Sequence, residues 1–111
     1  IAAKIHGISD EKVAAVWEYQ TSPLYSEAEK VALDYALAAG SVPNAVDEAL
    51  ANRMKQHWSE SQIVEILGAI CLYGFLNRWN DSMATSLESS PKSLGDEVLT
   101  QGGWTGGKHV E

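Results

Sequence analysis

Cysteine is almost absent from this 111-residue chain, with Cys71 as its only thiol. A single cysteine excludes an internal disulfide framework and any cysteine-rich zinc site. The three histidines, His6, His57 and His109, are too far apart for helical metal-ligand spacing, so we predict no metal and no other cofactor. A lone thiol fits a reducing compartment, and no signal peptide is recognisable, so we expect a cytoplasmic location.

Basic residues are also scarce. Eight Lys and Arg stand against fifteen Asp and Glu, giving a net charge of −7. Nucleic acids and anionic membranes need clustered positive charge, so we predict neither as a partner. The longest apolar run, residues 63–76, is interrupted by Glu65 and is shorter than the ~20 residues of a membrane span.

No segment alternates polar and apolar residues convincingly enough to predict a strand, and neither a phosphate-binding loop nor a nucleophile elbow occurs. Helix signals occur throughout instead, and they predict an all-α fold. Residues 1–6 are typical of the end of a helix that stops at Gly7, and Ser9 caps a second helix that ends before Pro23. Ser26 opens a capping box for a third helix ending at Ala39, and a fourth helix spans Ala45 to about His57.

The fifth predicted helix, Glu60–Met83, is the longest and follows a second capping box at Ser59. Between residues 63 and 76 it is apolar on every side except at Glu65, and a helix that is apolar all round is buried all round. A few short helices cannot enclose it, so we expect a second copy of the chain to cover part of it. Gly68 and Gly74 would let neighbouring backbones approach closely. The sequence therefore predicts a long buried fifth helix and a homo-oligomer.

The composition changes after this helix. Residues 85–111 are rich in Ser and Gly, and only residues 93–99 are expected to form a short helix. We therefore divide the chain into a helical domain, 1–84, and an extended C-terminal arm, 85–111. The arm carries four apolar side chains that we expect to dock on the body or on a neighbouring subunit: Leu94, Val98, Leu99 and Trp104.

Chemically capable side chains concentrate on the fifth helix. Cys71 is the only candidate nucleophile, although a thiol among apolar residues is more often an inert, small hydrophobic side chain. Arg78 follows two turns later on nearly the same face, with Gly74 leaving room between them, and could hold a carboxylate or another anion. Its alternative role is to complement the helix dipole or to pair with an acidic residue.

Two further groups could carry protons. Glu65 is a candidate acid or base because an unpaired carboxylate is costly to bury, and His57 is a weaker one because its helix-end position already explains it. Tyr73, Asn77 and Asn80 form a polar stripe that would line either a cavity or a seam between subunits.

Four segments together resemble the carboxymuconolactone decarboxylase and alkylhydroperoxidase-D-like (AhpD-like) family. They are HGISDEKVAAV, YSEAEKVALDYALAAG, WSESQIVEILGAICLYGFLNRWNDSM and GGWTGGKH, in the order in which the family has them. The third is the most specific. The resemblance implies an AhpD-like helical bundle assembled as a dimer, trimer or hexamer.

The resemblance also implies two activities. Redox-active members reduce hydroperoxides with a Cys-x-x-Cys pair and a following histidine, whereas other members are lactone decarboxylases that use acid and base groups without a cofactor. Among residues that match the family pattern, Arg78 and Asp81 are implied near the pocket, and Tyr73 only by its vicinity. We treat these three residues as the candidate ligand-binding set.

This sequence departs from the family at the thiol pair. By register the Cys-x-x-Cys would precede Ile1, and it is not among the 111 residues. We expect the chain to be a fragment, to have lost the motif, or to descend from a form without it.

Three hypotheses follow. The first is a peroxidase-like scaffold acting on a small hydroperoxide, and the second is a non-catalytic helical oligomer that binds a small apolar or carboxylate ligand. The third is a lactone decarboxylase in which Glu65 or His57 transfers a proton and Arg78 holds a carboxylate.

Overall fold

The computed structural model of the chain describes the backbone of residues 2–110 and the side chains of residues 3–110. Within that range every regular element is helical, which confirms the all-α fold class. The α-helices are α1 (Ala2–Ile5), α2 (Asp10–Ala14), α3 (Glu27–Gly40), α4 (Glu48–His57), α5 (Glu60–Met83) and α6 (Ser89–Val98). Three 3₁₀ turns, Ala15–Glu18, Thr100–Gly102 and Gly107–His109, complete the regular structure.

Local capping chemistry sets where α2, α3 and α5 begin. Ser9 Oγ accepts a hydrogen bond from the Lys12 N–H at 3.2 Å. At Ser26 the capping box is reciprocal, because its Oγ accepts from the Glu29 N–H while Glu29 Oε2 accepts from the Ser26 N–H. Ser59 and Gln62 exchange the same two bonds ahead of α5. These predicted helix starts are confirmed.

The second helix ends before Pro23 as predicted, although only Asp10–Ala14 is α-helical and Ala15–Glu18 is a 3₁₀ turn. Two other predicted boundaries are wrong. The first is the start of α4, which begins at Glu48 rather than Ala45. The later start has a clear cause, since Asp47 Oδ1 accepts a hydrogen bond from the Leu50 N–H at 2.8 Å and caps the helix there. The short helix of the arm is longer than expected, Ser89–Val98, so the arm is less extended than predicted.

The chain forms two compact units. The first combines the segment up to Leu24 with the segment from Asn80 onward, and the second is Tyr25–Trp79. The division at residue 84 into a domain and an arm stays a prediction.

In the first unit, α2 packs against α6, and Tyr19 and Val98 are its buried hydrophobic residues. The ring of Trp104 lies against Gly95, where a Cβ atom would come within 2.6 Å of the indole. Two of the arm's apolar side chains, Val98 and Trp104, therefore pack within this unit.

The second unit holds the main core. Val31 and Tyr35 of α3 meet Met54 of α4, and Ile63, Ile66 and Ile70 of α5 pack against this cluster. Two polar contacts fasten α4 to α3. Arg53 Nη2 lies 3.0 Å from Asp34 Oδ2, and the Trp58 indole N–H donates to the Ala28 carbonyl at 3.0 Å.

The burial expected for the fifth helix is not provided by this chain. None of the residues of α5 is buried, and Val64, Leu72, Phe75 and Trp79 are each 57–69% exposed. The sequence-based prediction of a buried helix was therefore wrong for a single chain. The reason is geometric, since α3 and α4 cover only one side of α5.

Among the described residues no single helix is both long and apolar enough to cross a membrane. Only α4 and α5 taken together reach the required length and composition, and they are bent by 118° where they meet.

Candidate functional site

A cavity of about 660 Å³ lies in the second unit, between the C-terminal part of α3 and the middle of α5. Its apolar wall includes Ala36 and Ala39 of α3 with Leu67 and Ile70 of α5. The full lining is Ala36, Ala39, Gly40, Asn44, Leu67, Ala69, Ile70, Cys71, Tyr73, Gly74, Asn77 and Arg78. A volume of this size is in the range of small-molecule sites.

The polar groups of the cavity come from one helix and one turn. Cys71, Tyr73, Asn77 and Arg78 project from α5, and Asn44 lies in the turn between α3 and α4. Asn44 holds that turn by accepting from the Val46 N–H at 2.9 Å. The cavity thus combines an apolar wall with a few polar groups that could orient a ligand.

Arg78 folds back along α5 towards Gly74. A Cβ atom placed on Gly74 would lie 3.1 Å from Arg78 Nη1, so the missing side chain makes room for the guanidinium. This is the arrangement that the sequence predicted for Cys71, Gly74 and Arg78, because residues three and four apart share a helix face. Arg78 has neither a hydrogen bond nor an ion pair with another described residue, so its five N–H donors are available to a ligand.

Cys71 is exposed, and its side chain belongs to the lining of the same cavity. The sequence favoured a buried Cys71, and that expectation is wrong, because the residue is exposed. Cys71 and Arg78 therefore line the same cavity, and both residues are exposed.

The structure brings three of the six candidate residues together, namely Cys71, Tyr73 and Arg78. Glu65 and His57 are exposed and do not belong to the cavity lining. Asn77 of the predicted polar stripe does belong to it, so two members of that stripe line the cavity. Asn44 was not predicted as a site residue, because Pro43 and Asn44 were interpreted as the start of a helix. The signal that could have placed it in a turn is the tendency of asparagine to form an Asx turn.

Asp81, the sixth candidate, has other partners. Its Oδ1 lies 3.2 Å from Lys108 Nζ and 3.4 Å from His109 Nε2, within the first unit. The hydrogen bond and the charge of Lys108, followed by the hydrogen bond of His109, lower the pKa of Asp81 below its ordinary value. His109 is held in turn, because its Nδ1 lies 2.8 Å from the Thr85 carbonyl oxygen. Asp81 thus anchors the C-terminal segment and is not part of the cavity lining.

Metal binding has no support in the described part of the chain, where no group of three or more His, Cys, Asp or Glu side chains could hold an ion.

Two comparisons with known proteins give related chains. This chain is 37% identical over 75 residues to the uncharacterized protein YnjA of Escherichia coli strain K12, a match covering 68% of this chain and 41% of YnjA. The debrominase Bmp8 matches with a TM-score of 0.77 and 36% identity in its apo structure, over 86% of this chain and 52% of Bmp8. A Cys-to-Ala variant of Bmp8 in complex with 2,3,4-tribromopyrrole matches with the same score and identity. No protein-family model matches the chain.

The chain spans about half the length, or less, of these relatives. Its fold is similar to that of the part of Bmp8 that it matches.

Proposed function

We propose that this chain belongs to the carboxymuconolactone decarboxylase and AhpD-like family and forms the substrate-binding part of a small-molecule enzyme site. The four family-like segments support the assignment, and the similarity to the debrominase Bmp8 supports an enzymatic scaffold. The site is the cavity between α3 and α5.

One observation carries the proposal: Arg78, which has no hydrogen bond or ion pair with another described residue, lines a largely apolar cavity together with Cys71. A planar guanidinium binds carboxylates and other anions through paired N–H donors and also stacks on flat rings. The apolar wall takes the rest of the ligand. The preferred ligand is therefore a small, largely apolar molecule with an anionic or hydrogen-bond-accepting edge.

A small halogenated aromatic molecule is the first substrate class to test, because Bmp8 is a debrominase crystallised with 2,3,4-tribromopyrrole. With a dithiol as reductant, replacement of a carbon–bromine bond by a carbon–hydrogen bond releases bromide and a proton and oxidises the two thiols to a disulfide. Cys71 is the one thiol of this chain that could contact such a ligand.

Thiol-dependent peroxidase activity is the second candidate and rests on the family resemblance. It needs the Cys-x-x-Cys pair, which is not among the 111 residues, so we propose it for a chain that carries that pair. Lactone decarboxylation is less favoured, since neither Glu65 nor His57 lines the cavity that holds Arg78.

Titration of the chain with 2,3,4-tribromopyrrole, followed by NMR chemical-shift changes, tests the binding step. We expect the changes to map to the cavity lining, and Arg78→Gln to weaken binding by about tenfold or more, the cost of one charge-assisted hydrogen bond. Arg78→Lys should weaken it less. Arg53→Gln is the matched control, because Arg53 pairs with Asp34 outside the cavity.

Bromide release and tert-butyl hydroperoxide consumption, each with a dithiol reductant, then separate the two activities. Loss of bromide release in Cys71→Ser would assign this thiol to debromination. Saturable binding that is unchanged in Arg78→Gln would overturn the proposed site.

A further inference from the structure

The part of α5 that lines the cavity carries polar residues on two separate sides. With Gly74 as the reference and 100° per residue, Cys71 and Arg78 lie about 40–60° to one side of it. Asn77 and Tyr73 lie about 60–100° to the other side. All five residues belong to the cavity lining. A molecule that rests over Gly74 therefore has polar residues of α5 on both flanks.

The surface between these two flanks is apolar. On α5, Leu67 and Ile70 lie within about 40° of Gly74 around the helix axis, and both line the cavity. The α3 wall of the cavity is built from small side chains, with Ala36 and Ala39 among them. In a volume of about 660 Å³, these walls leave room for a flat ring whose substituents reach both flanks.

The flank formed by Tyr73 and Asn77 has hydrogen-bonding capacity that the chain does not use. Neither side chain has a hydrogen bond or an ion pair with another described residue. The two residues are four apart, and residues at this spacing are neighbours on a helix surface. The Asn77 amide offers donors and an acceptor, and the Tyr73 hydroxyl does the same. Asn44 differs, because its Oδ1 already accepts from the Val46 N–H.

We propose that Asn77 and Tyr73 determine ligand specificity by binding a hydroxyl or N–H group on the edge of the ligand opposite its anionic group. This inference rests on the proposed function, in which Arg78 binds the anionic edge. It narrows the ligand class to one-ring aromatic acids that carry a hydrogen-bonding substituent across the ring from the carboxylate. A ligand held at both edges takes one orientation in the cavity, which contact with a single guanidinium does not impose.

Calorimetric titration of the full chain with 4-hydroxybenzoate and 4-methylbenzoate tests the proposal. The two acids share the carboxylate and are nearly equal in size, but only the first has a hydrogen-bonding group at the far edge. We expect the wild-type chain to bind 4-hydroxybenzoate about three- to tenfold more tightly, which is the range for one neutral hydrogen bond.

Three variants locate the source of this preference. Asn77→Leu should reverse it, because an apolar side chain favours the methyl group. Tyr73→Phe keeps the ring and should reduce the preference without reversing it, and it serves alone if Asn77→Leu does not fold. Asn80→Leu is the matched control and should change nothing, since Asn80 is an exposed asparagine of the same helix outside the cavity lining. Far-ultraviolet circular dichroism verifies folding.

Arg78→Gln separates this inference from the proposed function, because it should weaken the binding of both acids by the same factor. If neither acid binds, or if Arg78→Gln leaves both affinities unchanged, the anion site is wrong and this inference falls with it. If both acids bind through Arg78 and 4-hydroxybenzoate is not preferred, only this inference is overturned. The same holds if the wild-type preference is retained in Asn77→Leu or in Tyr73→Phe.

Discussion

The two faces of α5 are both apolar, but they have opposite surroundings. Ile63, Ile66 and Ile70 on one face pack against the core, whereas Val64 and Leu72 on the other face are exposed. Hydrophobicity alone does not distinguish them. A helix that is apolar on every side favours burial, but its sequence does not say which surface will cover which side. The reason is that the hydrophobic effect is non-directional.

The largest expected effect tests the core face. Met54 is fully buried where α3, α4 and α5 meet, so Met54→Ala should lower the free energy of unfolding by about 2–5 kcal/mol. Leu72→Ala, at a protein concentration low enough to keep the chain monomeric, should change it by less than about 0.5 kcal/mol. Urea denaturation of both variants measures the contrast, and equal losses would mean that the two faces are equally buried.

A smaller loss of stability is expected from a change in α3, the helix on which α5 packs. Ser26 and Glu29 close the capping box of α3, so Ser26→Ala should destabilise the protein by about 1 kcal/mol. Ser93→Ala is the control, because Ser93 lies exposed within α6 and caps nothing. The urea concentrations at the midpoints of unfolding are compared for the two variants, provided that the dependence of the unfolding free energy on urea concentration is unchanged. Coinciding midpoints would contradict a stabilising role for the box.

At Gly74, on the cavity side of α5, a substitution should change stability and ligand binding in opposite directions. Gly74→Ala should stabilise α5 by up to about 1 kcal/mol through helix propensity, since the Cβ meets only the mobile end of Arg78. The same change displaces the guanidinium and should weaken 2,3,4-tribromopyrrole binding several-fold. Gly68→Ala, in open space on the other face, should gain stability without weakening that binding. Tighter binding by Gly74→Ala would contradict the position of Arg78.

The smallest effect lies at the C-terminal end of α5. Because Lys108 lowers the pKa of Asp81, the ionised carboxylate stabilises the folded chain above the ordinary aspartate pKa of about 4. This contribution is lost as the pH falls through the lowered pKa. Asp81→Asn should therefore reduce the melting temperature slightly at pH 7, and the difference from the wild type should vanish towards pH 2. A difference that persists there would have another cause.

Much of the local structure could be predicted from the sequence. Ser26 with Glu29 and Ser59 with Gln62 mark helix starts because the atoms that satisfy each other are three residues apart, so no distant part of the chain is involved. The same locality made the Cys71, Gly74 and Arg78 face predictable. Asp81 could not be placed, since Lys108 and His109 lie far from it in sequence, and Asn44 could not, because its turn competes with a helical start.

By itself the sequence determined the all-α class, the positions of α3 and α5, and the presence of one thiol and one arginine on a shared helix face. Each of these follows from residues within two turns of one another. Only the tertiary structure decided which side of α5 meets the core, that α3 and α5 form a cavity that Arg78 helps to line, and that Asp81 pairs with the C-terminal segment. Those outcomes depend on contacts between distant segments, and such contacts are chosen by shape and by the area removed from water, which no local pattern encodes.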